Sequence, residues 1–228
     1  MPILAFDAST ETCAVALGGA SGWLEREEVA GQRHSELLLP MIRALLGEAG
    51  LALSDLDGIA FGAGPGSFTG LRIACGVAQG LALGAELPVV GVATLEAMAE
   101  AAHAKHGWTR VVTALDARMQ EVYLAAYERD GERWRAQVEP CVAKPDAAPL
   151  PSGGGYGAGN GFAAYPALGK RLAAEFDASV LPGAVAIGRL ALRRFTAGEG
   201  VAARDAAPLY VRHRVALTSA ERDAGARL

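Results

Sequence analysis

Between an apolar run ending near Phe61 and a helix-like segment lies Gly62-Ala-Gly-Pro-Gly-Ser-Phe-Thr-Gly-Leu-Arg72. This stretch constrains the fold more than any other, because it demands a tight strand-to-helix turn. Gly64 and Gly66 open backbone conformations closed to other residues, Pro65 fixes its own φ, and Ser67 or Thr69 can cap the helix that follows. A helix N-terminus behind free backbone N–H groups also suits an anion, so the same residues describe a phosphate loop or an ordinary turn.

About half of the 228 residues (51%) are apolar, enough for one body or two closely packed lobes rather than a string of modules. The formal charge of −4, with basic residues scattered along the chain, marks no single positive face for long nucleic-acid contact. Cys13, Cys75 and Cys141 are far apart in sequence and form no CxxC pair, which argues against a disulfide framework or zinc knuckle and for a reducing, cytoplasmic setting. The opening Met-Pro-Ile-Leu-Ala-Phe-Asp lacks signal-peptide character, and the reading expects no later run of about 18 apolar residues and no membrane.

Ile3 to Phe6, Cys13 to Leu17 and Trp23 to Val29 read as an antiparallel meander. A helix follows from Ser35 to Ala49, where Leu38, Met41, Ile42 and Leu45 repeat with helical spacing. Leu37, Leu39 and Leu46 widen its apolar arc to roughly 200°, against the ~100° stripe a surface helix needs. Gly58 to Phe61 is a buried strand, about Thr69 to Leu83 a helix with Ala74, Ala78 and Ala82 on one face, Pro88 to Val92 a strand, and Thr94 to Ala104 a helix capped by Thr94. The second half begins like the first, with strands at Arg110 to Leu115, Glu121 to Tyr127 and Trp134 to Val142, which hints at two lobes of related design. Lys144 to Pro151 is a connector, Gly153 to Gly161 is glycine-rich, Ala184 to Thr196 is a helix, and the polar tail after Thr218 is expected to be loose.

Asp7, Ser9 and Thr10 stand where the first strand gives way to a turn, and Asp116 holds the matching place in the second half. The two acids can flank a magnesium-bound phosphate between lobes, or each can cap its own turn. The Gly-Lys-Ser/Thr of a P-loop is absent. His103 and His106 lack an evident third metal ligand, and neither a Gly-x-Ser-x-Gly elbow nor a Cys–His pair is present.

Several blocks together resemble one family. Phe6-Asp-Ala-Ser-Thr-Glu-Thr-Cys13, Gln32-Arg-His-Ser-Glu-Leu-Leu-Leu-Pro-Met41, Gly64-Pro-Gly-Ser-Phe-Thr-Gly-Leu-Arg-Ile73, Leu115-Asp-Ala-Arg-Met-Gln-Glu-Val-Tyr123 and Gly157-Ala-Gly-Asn-Gly-Phe162 match the bacterial TsaB (YeaZ) proteins in order and spacing. The resemblance implies an actin-like ATPase (ASKHA) fold of class α/β, with two lobes each built on a mixed sheet flanked by helices. The lobes are expected at 1–104 and 105–228. It also implies a non-catalytic paralogue of TsaD, the subunit that transfers threonylcarbamoyl to the adenosine beside the anticodon of ANN-decoding tRNAs. TsaB pairs with TsaD, TsaE joins the pair, tRNA is met only through the complex, and TsaB alone forms a homodimer.

By the same resemblance, the metal-binding histidines of TsaD fall at Thr94 and Met98, neither of which replaces imidazole on a metal. No catalytic residue, metal or cofactor of its own is expected; ATP and metal belong to the partners. Asp7, Ser9, Thr10 and Asp116 are the remnant phosphate-loop candidates. The expected partner interface is a helical bundle drawing on His34, Leu38, Met41, Ile42, Leu45, Ser67, Thr69, Arg72, Ala74 and Ala78. The competing readings are an actin-like ATPase or small-molecule kinase in its own right and, with least support, a metallopeptidase.

Overall fold

Strand β1 (Ile3–Asp7) is buried on both faces, which places it at the centre of a sheet rather than at its edge. In the computed structural model, which describes residues 1–149, 151, 153–172 and 175–212, it pairs antiparallel with β2 (Thr12–Gly19) and parallel with β4 (Gly58–Gly64). With β3 (Gly22–Val29) and β5 (Val89–Ala93) the sheet has the order β3-β2-β1-β4-β5. The edge strand β3 carries Glu25, Arg26, Glu27 and Glu28, charges that discourage further strand pairing.

Alternation along β1 divides the core. Leu4 and Phe6 meet helices α1 (His34–Ala49) and α2 (Phe68–Ala85), whereas Ile3 and Ala5 meet Ile187, Leu190 and Ala191 of helix α6 (Ala184–Thr196).

The second sheet has the order β10-β9-β6-β7-β8. Strands β6 (Arg110–Asp116), β7 (Val122–Asp130) and β8 (Arg133–Ala143) form an antiparallel meander, and the short β9 (Tyr156–Ala158) and β10 (Phe176–Asp177) extend it in parallel. Helix α3 (Thr94–His106) covers one face through Leu95, Met98, Ala99 and Ala102. Helices α4 (Gly161–Ala164) and α5 (Pro166–Leu172) cover the other through Phe162, Leu168 and Leu172.

Three expectations are corrected. The division at 104/105 separates the sheets but not the lobes. Helix α6 packs on the first sheet, Val201 bridges to Val89, and the Leu209 N–H donates to the Ala63 carbonyl at 2.7 Å, so the end of the described chain returns to the first lobe. Leu38, Met41, Ile42, Leu45, Ala74 and Ala78 are core residues of the first lobe, and His34 is buried beside them. They face the sheet, because the widest apolar arc of a two-layer helix turns inward first. Thr94 is the first residue of α3, with Ala93 in the capping position. Helix α2 is long and apolar enough to cross a membrane by length and composition, its leucines, isoleucine, valine and alanines bringing the mean hydropathy to 1.2, although Arg72 and Gln79 interrupt any continuous apolar run. Gly70, Leu71, Ala74, Cys75, Ala78 and Ala82 on one side of it are nevertheless buried in the lobe. The tail after Thr218 lies outside the described residues.

Candidate functional site: the interlobe cleft and the outer face of α2

The turn after β1 and the glycine-rich turn after β4 are packed into one unit. Asp7 accepts the Ser9 N–H (3.1 Å) and the Ser9 hydroxyl (2.8 Å) on Oδ2, and the Ser9 carbonyl in turn accepts the Ser67 N–H at 2.7 Å. Ser67 caps α2 by accepting the Gly70 N–H at 3.3 Å. Gly64 uses its freedom directly, at φ +120. The other glycines supply space: a Cβ on Gly66 would strike Ser9, one on Gly70 the Ala8 carbonyl, and one on Gly62 the Asp7 carboxylate. The turn that resembles a phosphate loop is thus occupied largely by its own neighbours.

Asp7 is fully buried, and Oδ1 has no hydrogen-bond partner. The point where a Gly62 Cβ would stand lies against this oxygen and 3.3 Å from Ile187 Cδ1, so the carboxyl group is enclosed by backbone and a methyl group. Burial drives its pKa up to about 7 despite the Ser9 hydrogen bonds. Asp116 is equally committed. Its Oδ1 accepts the Arg118 N–H (2.9 Å) and the Tyr165 hydroxyl (3.2 Å), its Oδ2 pairs with the Arg118 guanidinium (3.2 Å), and its own N–H donates to Asn160 Oδ1 (2.9 Å).

A cleft of about 1110 Å³ opens between these two turns. It is lined by Ser9, Thr10, Ser67, Arg72, Asp116 and Asn160, and also by Phe68, Tyr123, Tyr210 and Arg212, which the sequence reading passed over. Asp7 does not reach it. Two carboxylates meeting a magnesium-bound phosphate across the cleft would require Asp7 to be charged and accessible, so this donor set does not fit that group.

The remaining candidates fall in separate places. Thr94 Oγ1 is buried without a partner, and Met98 lies in the core under the second sheet. His103 Nδ1 is 3.0 Å from the Trp108 carbonyl, and His106 Nε2 is 2.8 Å from Asp177. Of the expected interface set, Ser67, Thr69 and Arg72 are exposed. Thr69 and Arg72 share a helical face with Ile73, Gly76, Gly80 and Leu83, the last 75% exposed. Nothing lies within 4 Å of where a Cβ would stand on Gly76, Gly80 or Gly84. Glycine at four-residue intervals in a helix was the sequence signal for this surface.

Two mixed, helix-flanked sheets closing on a cleft define an actin-like α/β protein, and the model of the family described as tRNA N6-adenosine threonylcarbamoyltransferase, TsaD, matches residues 27–220. Within that class the chain belongs to the TsaB family. It is 43% identical over 224 residues to the tRNA threonylcarbamoyladenosine biosynthesis protein TsaB of Escherichia coli K12 (95% of this chain, 96% of the relative). It is 38% identical to that of Haemophilus influenzae over 225 residues, 94% of this chain and 95% of the relative. The solved structure of YeaZ from Pseudomonas aeruginosa superposes with a TM-score of 0.85 at 42% identity, covering 92% of this chain and 99% of that one.

Proposed function

We propose that this chain is a non-catalytic subunit of the bacterial tRNA threonylcarbamoyladenosine transferase complex. It binds TsaD and, together with TsaE, supports threonylcarbamoyl transfer to the adenosine beside the anticodon of ANN-decoding tRNAs. The observation that carries the reading is the outer face of α2, where Ile73, Gly76, Gly80 and Leu83 present an apolar strip with no side chain on its glycines. Exposed glycines weaken an isolated helix by about 1 kcal/mol each, a cost that close approach of a second helix offsets. Leu39, 37% exposed, adds to the apolar surface of α1.

TsaD is the occupant in the working complex, and a second copy of this chain takes the same face when TsaD is absent. ATP and metal chemistry reside in the partners, tRNA is engaged through the complex, and the setting is cytoplasmic. The committed carboxylates of Asp7 and Asp116 support a helper role over a kinase role.

Leu83→Glu tests the interface on an exposed residue. The variant is expected to melt like the parent, to lose TsaD binding in gel filtration, and to leave repeated turnover as slow as when the chain is omitted from a mixture of tRNA, donor, TsaD and TsaE. Normal complex formation by Leu83→Glu would remove this face from the interface. Equal turnover with and without the parent chain would end the helper reading.

A further inference from the structure

The cleft wall built by α2 and residues 209–212 leaves in water what folding normally covers. Phe68 and Tyr210 are 45% and 46% exposed, with ring centroids 5.8 Å apart. The Arg72 guanidinium carbon stands 3.8 Å from the Phe68 ring centre, and Arg72 Nε donates to the Tyr210 hydroxyl at 3.2 Å. Among the described residues no carboxylate lies within ion-pair distance of Arg72, in contrast to the other arginines of the cleft. Arg118 pairs with Asp116, and Arg212 pairs with Glu121 at 2.7 Å while lying over the Tyr123 ring. One exposed ring is ordinary. Two adjacent rings, joined by a cation with no anion of its own, inside a concave site, are not.

We propose that this cleft binds an unpaired nucleotide without a metal ion, its base stacked on the Phe68–Tyr210 pair and its phosphate paired with Arg72. The combination selects the ligand class. An apolar molecule has no use for Arg72, and an inorganic anion has none for the rings, whereas a nucleotide uses both. The volume, about 1110 Å³, admits a nucleotide with its neighbours. Metal independence follows from Asp7 being enclosed and Asp116 being tied to Arg118 and Tyr165. A free mononucleotide and an unpaired position in an RNA strand present this same chemistry. Arg72 borders the Gly76–Leu83 strip as well as the cleft, whereas Tyr210 lines the cleft and is not part of α2, so Tyr210→Leu separates nucleotide binding from the partner reading.

The test titrates the full-length chain, in EDTA, with AMP by calorimetry and with a short fluorescent single-stranded oligoadenylate by anisotropy. Arg72→Met and Tyr210→Leu, both at exposed positions and checked by thermal melting, are each expected to weaken binding about tenfold. Binding of AMP identifies a free nucleotide as sufficient, and binding of the oligonucleotide alone identifies an RNA strand; either upholds the proposal. It is overturned if neither ligand binds below about 1 mM, if both variants bind like the parent, or if binding appears only when magnesium replaces EDTA. It is overturned equally if an aspartate- and phenylalanine-rich peptide competes as well as the RNA, since the cleft would then be a protein-binding groove.

Discussion

At the scale of single residues, Asp7 carries an unusual proton. Enclosure by Gly62 and Ile187 drives its pKa up to about 7, whereas in the unfolded chain it titrates near 4. Between those values the folded state holds a proton that the unfolded state has lost. Stability therefore falls as pH rises from about 4 to about 7, by at most ~1.4 kcal/mol per unit, and is level above that. Asp7→Asn keeps the shape and removes the titration, although its amide N–H group meets no acceptor on the Gly62 side. Denaturant melts from pH 5 to pH 8 are expected to show the parent losing stability relative to Asp7→Asn. Parallel profiles would mean that the carboxyl is charged and hydrated in the folded state.

Among the elements, α2 has two glycine faces with opposite expectations. Gly76 and Gly80 look into open space, so alanine there is expected to stabilise the lone chain by about 0.5–1 kcal/mol per site. Gly70 abuts the Ala8 carbonyl, and Gly70→Ala is expected to destabilise by about 2 kcal/mol despite its better helix propensity. Chemical denaturation of the three variants checks the signs. A stabilised Gly76→Ala that also binds TsaD more weakly would tie the open glycines to helix docking. These two faces also show what the sequence made legible. The order of strands and helices through α3 followed from apolar periodicity, while the turn chemistry offered both Ser67 and Thr69 as the cap that Ser67 supplies. The inward and outward leucines of α1 did not separate, because an arc of roughly 200° is wide enough to serve both a sheet and a neighbour. The short β9 and β10, three and two residues long, leave no period to read. The cleft aromatics Phe68 and Tyr210 lie far apart in sequence and come together only because the chain returns to the first lobe after α6.

For the whole molecule, that return makes the contact between the lobes a matter of buried charge. Glu100 on α3 is 2% exposed and lies where α3, α6 and the second sheet meet. Its carboxylate accepts from Arg129 (2.9 Å) and Trp134 Nε1 (2.9 Å) in the second lobe and from Arg193 (3.3 Å) on α6. One turn earlier Glu96 pairs with Arg194, which also donates to the Gly91 carbonyl at 3.0 Å. Burial opposes the charge on Glu100, but the Trp134 N–H and the two guanidinium groups outweigh it and hold its pKa below the usual glutamate value. The stability this lends is present above the ordinary glutamate pKa and is lost as pH falls through the lowered one. Removing the carboxylate takes the ion-pair partner from Arg129 and leaves Arg193, which already has a buried Nη1 lacking a partner, with only the exposed Glu132 at 3.7 Å. Glu100→Ala is accordingly expected to cost about 3 kcal/mol, and Glu100→Gln less, because the amide oxygen still accepts from Trp134 and one arginine. The loss should be directional as well as large. Hydrogen exchange in Glu100→Ala is expected to rise along α3 and α6 and at Arg129–Trp134, while β1, β2 and β4 keep their protection, as befits lobes that loosen against each other before either unfolds. Faster exchange spread evenly over both sheets would instead make Glu100 an ordinary core contact rather than the junction that fixes how the two lobes face across the cleft.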